Sequence, residues 1–105
     1  MKYEISFNEN DKGLEVNVPS CISPVAILLM GDIQSNGEPW LNLIDKVLKG
    51  ESSYEECTGN NCTLEIKKDI TKIIDNYSED EEECIIKTIE LKKIIELWVR
   101  KINNI

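Results

Sequence analysis

The 105-residue chain contains no histidine, which rules out Ser-His and Cys-His nucleophilic sites. Its five glycines lie scattered at 13, 31, 37, 50 and 59, each beside a turn, so there is no Gly-rich phosphate loop. The longest apolar run, Val25 to Met30, is far too short to span a bilayer, and no membrane partner is expected. The segment Met1-Lys2-Tyr3-Glu4-Ile5-Ser6 lacks a basic stretch leading into an apolar core. Without an export signal, the expected compartment is the cytoplasm, where Cys21, Cys57, Cys62 and Cys84 should be reduced thiols. Cys57 and Cys62 sit at the loose edge of zinc spacing. With no second close pair beside them, they read as buried or half-buried thiols, and no metal or cofactor is expected. Calcium-loop spacing is also missing. Twenty acidic residues supply carboxylates in plenty, but paired-carboxylate hydrolysis needs a deep cleft, for which a chain of this size has little room. The expectation is a protein that is not an enzyme.

The chain does hold an uneven excess of negative charge. The net charge is −8, and residues 51 to 83 alone carry eleven acids against three bases. Residues 84 to 105 are net positive, with two acids and five bases. Such an acidic segment repels phosphate backbones and speaks against nucleic acid as a partner. Five consecutive acids, Glu79-Asp80-Glu81-Glu82-Glu83, form its peak. They read either as a solvated turn or as a docking patch for a cationic partner.

At this length and with 41% hydrophobic residues, one domain over residues 1–105 with one core is expected. Gly59 to Asp75 reads as a hairpin at the centre of a small sheet: Cys62, Leu64 and Ile66 alternate with polar residues, Lys67-Lys68-Asp69 turns, and an Ile- and Thr-rich strand returns. Tyr3, Ile5 and Phe7, then Leu14, Val16 and Val18, suggest another hairpin. Residues 23–31 fit a capped helix, with Ser23 before Pro24 and Gly31 past the end, though the same apolar run also fits a buried strand. Pro39 to Gly50 reads as an amphipathic helix with Trp40 in its core stripe. Glu51 to Thr58 reads as a polar loop and Cys84 to Ile89 as a strand. Thr88 is then expected to cap a closing helix striped by Leu91, Ile94, Ile95, Trp98, Val99 and Ile102. The fold class is α+β, an antiparallel sheet of about five strands packed against two or three helices.

Certain anchors recur in order: Trp40-Leu41-x-Leu43-Ile44-x-x-Val47-Leu48-x-Gly50, Thr58-Gly59-Asn60-x-Cys62, Leu64-Glu65-Ile66, Asp69-x-Thr71-x-Ile73-Ile74-Asp75 and Thr88-x-Glu90-Leu91-x-x-Ile94-Ile95-x-x-Trp98. Over roughly residues 40 to 98, this pattern resembles the small immunity proteins of bacterial contact-dependent growth inhibition and other polymorphic toxin systems. The resemblance implies a cytoplasmic protein that binds and neutralises the C-terminal toxin domain of a cognate effector. A basic nuclease toxin would suit the acidic composition. Charge alone then nominates Glu79, Asp80, Glu81, Glu82 and Glu83 as toxin-binding residues, with Glu55, Glu56 and Asp75 as neighbours. The alternative is a non-catalytic structural or regulatory adaptor whose acidic patch serves only solubility.

Overall fold

A computed structural model describes residues 2–104. Strand β1 (Ser6–Asn10) pairs antiparallel with β2 (Gly13–Asn17). A 3-10 turn (Ser20–Ile22), helix α1 (Ser23–Ile27) and a π-helical turn (Leu28–Ile33) follow as one winding segment. Helix α2 (Glu38–Leu48) leads to four strands, β3 (Glu55–Thr58), β4 (Cys62–Ile66), β5 (Ile70–Asp75) and β6 (Glu83–Lys87), and helix α3 (Thr88–Ile102) closes the chain. The α+β class is as expected. The strands number six, however, and divide into the β1–β2 hairpin and a four-stranded antiparallel sheet in the order β3-β4-β5-β6.

The hairpin read at Gly59 to Asp75 is β4–β5, the central pair of the larger sheet. Residues 23–31 are helical, but the winding runs through Gly31 to Ile33, where the Gln34 N–H reaches back to the Leu29 carbonyl at 2.9 Å. Four readings are corrected. Glu55 to Thr58 is an edge strand rather than a loop: Glu-Glu-Cys-Thr has no apolar alternation, and only pairing with β4 makes it a strand. The first strand begins at Ser6, later than its aromatic pattern suggests. Ser23 does not cap α1, because Ile22 occupies the N-cap and the Ser23 hydroxyl donates instead to Glu82 at 2.9 Å. Thr88 is the first residue inside α3 rather than its cap; its hydroxyl donates to the Lys67 carbonyl and pairs with the Thr71 hydroxyl at 2.8 Å. A buried threonine therefore ties the start of α3 to the β4–β5 turn.

The helices cover one face of the larger sheet. Leu64 and Ile66 of β4, Ile73 of β5 and Ile86 of β6 point to that face and are buried against Val25, Ile44, Leu91 and Ile94 from the helices. Each such side chain contributes about 1.5–3 kcal/mol by leaving water. The β1–β2 hairpin packs on α3 and the π-helical turn, with Phe7 stacked on Trp98 at 6.3 Å between centroids. Gly50 stops α2 with φ of +79°, a conformation that favours glycine.

Two polar groups brace this arrangement. Asp32, delivered by the π-helical turn, accepts the backbone N–H groups of Asn61 (2.7 Å) and Cys62 (2.8 Å) and the Asn61 side-chain amide (3.0 Å). Gly59 is required beside it, since a Cβ there would lie 2.9 Å from both the Asp32 carboxylate and the Trp40 ring. Asp32→Ala removes three charge-assisted bonds from a half-buried site and should cost about 2–3 kcal/mol in urea denaturation, with Asp32→Asn costing less. Glu90 is the second brace. It is 6% exposed and accepts the Lys2 backbone N–H, with the Lys93 ammonium 3.2 Å away. The Lys2 N–H is the main cause holding its carboxyl below the ordinary 4.5; burial opposes this, and Lys93 assists it. A carboxyl lowered by folding adds stability above its unfolded pKa and loses it as pH falls through the folded value. Wild-type stability should therefore drop more steeply than that of Glu90→Gln between about pH 5 and about pH 3, measured as the difference in urea midpoints.

Candidate interaction surface

The acidic run occupies the turn between β5 and β6, which is built around Ser78. The Ser78 hydroxyl donates to the Asp75 carbonyl at 3.1 Å and accepts the Glu82 N–H, while the Ser78 carbonyl accepts the Glu81 N–H at 3.1 Å. The Asp75 carboxylate accepts the Tyr77 N–H at 3.1 Å, and the Asp75 N–H donates to the Glu82 carbonyl at 2.7 Å. Glu82 is further fixed by Ser23 on α1. The wrapping presents Glu79, Asp80, Glu81 and Glu83 to solvent. The ion pairs among the described residues, Lys92–Asp45 and Lys93–Glu90, are both made by α3, and none of the run's carboxylates takes part in one. Beside them stands Tyr77, 78% exposed.

The eight nominated acids do not form one patch. Asp75 and Glu79 to Glu83 share the β5–β6 turn, whereas Glu55 and Glu56 lie on β3 at the other edge of the sheet, two to three strand spacings or about 10–14 Å across it. Glu55 points to the helix-covered face and is half-buried. Glu56 lies on the open face, accepts the Tyr54 phenol at 2.8 Å and stands directly opposite Glu65. That carboxylate is the leading cause that pushes the Tyr54 phenol up to about 12.

Several surface residues carry no role in the sequence pattern. Tyr77 is one of them. Ile70 and Ile85 are exposed on the open face at 44% and 56%. The signal was present in Cys84-Ile85-Ile86, where an apolar residue interrupts the alternation expected of a strand with one wet face. The surface offers carboxylates and an aromatic for recognition, and beneath it burial pushes the Cys62 thiol up to about 12 and the Cys84 thiol to about 11, keeping both protonated at neutral pH. Among the described residues no helix is long and apolar enough to cross a membrane.

A protein from Bacillus cereus named "Immunity protein" is 38% identical over 104 residues, covering 96% of this chain and 89% of its own length. The chain belongs to the immunity protein family. Neither a family model nor a solved structure matches it. Its most exposed aromatic, Tyr77, stands in its most acidic turn.

Proposed function

We propose that this immunity protein neutralises a cognate bacterial toxin by stoichiometric binding and without catalysis. The observation that carries the reading is the likeness to the Bacillus cereus immunity protein along nearly the whole chain. In finer terms, the target is the C-terminal toxin domain of a larger effector, of the kind used in contact-dependent growth inhibition and polymorphic toxin systems, and the complex forms in the cytoplasm. A basic nuclease domain fits best: carboxylates that are not ion-paired among the described residues steer a cationic surface at long range and can cover a phosphate-binding cleft. Contact is assigned to Asp75 and Glu79 to Glu83, with Tyr77 as an aromatic anchor among them and Glu55 and Glu56 as a separate outlying pair. Tyrosine suits that role, because it supplies contact area at low entropic cost.

Co-expression with the C-terminal segment of the effector encoded next to this protein tests the reading. The expected result is growth rescue together with a one-to-one complex that co-purifies. Toxicity that persists despite full expression of the immunity protein would reject that pairing. If the neighbouring genes encode no toxic domain, the adaptor alternative takes its place.

A further inference from the structure

The helices cover one face of the larger sheet and leave the other open. Its side chains form three rows set by the strand register: Thr58, Thr63, Ile74 and Glu83; then Glu56, Glu65, Lys72 and Ile85; then Lys67, Ile70 and Lys87. Charge runs along the strands, with the acidic β5–β6 turn at one end and Lys67, Lys68 and Lys87 at the other. Between them, Ile70 and Ile85 line a shallow depression of about 100 Å³. No ion pair joins the charges of this face among the described residues.

A partner for this face must present cations at one end, anions at the other and apolar groups between. We propose that the occupant is a second copy of the same face, turned end for end about a two-fold axis that crosses the strands. This proposal stands independently of the toxin reading. The rotation exchanges the first and third rows, placing Glu83 over the partner copy's Lys87 and Ile74 over its Ile70, while Ile85 meets its own equivalent. The middle row maps onto itself. Glu56, Glu65 and Lys72 then each face their own equivalent; Lys72 offsets the Glu65 pair from one strand away, about 4.8 Å to the side, and Glu56 lies on the edge strand, where solvent screens its pair. The contact is isologous, as two-fold symmetry requires. The net charge of −8 opposes association at long range, but at ordinary ionic strength that term is screened beyond about 8 Å, whereas the facing pairs are in contact. Four strands of about five residues give a footprint of roughly 15 by 17 Å, about 250 Å² per copy, which is below the usual size of stable interfaces, so the dimer should be weak and form only at about hundreds of micromolar. Tyr77 and Glu79 to Glu81 lie beyond the last ladder pair, Ile74 with Glu83, and stay clear of the contact.

Sedimentation velocity of the full chain from about 1 to about 500 μM tests this. The expected result is a reversible monomer–dimer equilibrium. Glu83→Lys and Lys87→Glu should each weaken it about ten-fold or more. The double variant Glu83→Lys/Lys87→Glu should restore it, and Ile85→Asp should abolish it. Circular dichroism checks that each variant is folded. A wild type that stays monomeric throughout overturns the proposal, even if a swapped variant fails to fold. So does a dimer indifferent to the swaps, or one that the double variant does not restore. If Ile85→Asp weakens capture of the toxin domain while the wild type alone is monomeric, the face belongs to the toxin instead.

Discussion

Trp98→Ala is expected to lower the unfolding free energy by about 3–5 kcal/mol, a large part of what a domain of this size has. Three features converge on this side chain. It is 1% exposed, so truncation opens a large cavity between α3 and the β1–β2 hairpin. Its ring stacks on Phe7 at 29° between planes, which is the main aromatic contact holding that hairpin to the helices. Its indole N–H donates to the Gln34 carbonyl at 2.7 Å, just where the backbone reverses with φ of +50° after the π-helical turn. The loop behind Gln34 is pressed on the same helix, since a Cβ on Gly37 would lie 2.6 Å from the Val99 side chain. Trp98→Phe separates the contributions: it keeps most of the ring but leaves the Gln34 carbonyl without its donor, and should cost about 1–3 kcal/mol. Urea denaturation followed by circular dichroism measures both. Equal losses for Phe and Ala would mean that the hydrogen bond, rather than the packing, dominates.

Elements with strong local signals are legible in the residues, and those held by tertiary pairing are not. α2 and α3 follow from apolar stripes with Pro39 near one start and Gly50 past one end, and β4 and β5 follow from clean alternation and an Ile- and Thr-rich return. β3 is hidden because an edge strand needs few apolar residues, and Glu55-Glu56-Cys57-Thr58 looks like any polar loop. Separation of the β1–β2 hairpin from the main sheet is equally invisible, since alternation records a face but not the neighbour it packs on. The brace from Asp32 to Asn61 and Cys62 joins residues about thirty positions apart, which no local pattern encodes. The candidate site is legible in the same partial way. The five acids at 79 to 83 stand out by charge, but grouping them with Asp75 and apart from Glu55 and Glu56 depends on strand order. Glu81 lies in the left-handed region, with φ of +46°, inside a turn that only the Ser78 hydrogen bonds explain.

Reversing the charge of that turn is the functional counterpart of the Trp98 experiment. Glu82 and Glu83 are left out of it, because Glu82 is bonded to Ser23 and Ser78 and Glu83 belongs to the open sheet face rather than to the turn. Glu79, Asp80 and Glu81 are exposed, and none of their side chains forms a hydrogen bond or ion pair among the described residues. The triple variant Glu79→Lys/Asp80→Lys/Glu81→Lys should therefore fold as the wild type does. Against a basic toxin domain, six units of charge change at the contact should slow association by about 10- to 1,000-fold at low salt. The gap should narrow as ionic strength rises, because screening removes the steering from both proteins. Tyr77→Ala should act differently, raising the dissociation rate with little effect on association, since an aromatic anchor works only after contact. Surface plasmon resonance over a salt series distinguishes the two. An association rate unchanged by the triple reversal at low salt would assign the acidic run to solvation and move the toxin-binding surface elsewhere on the molecule.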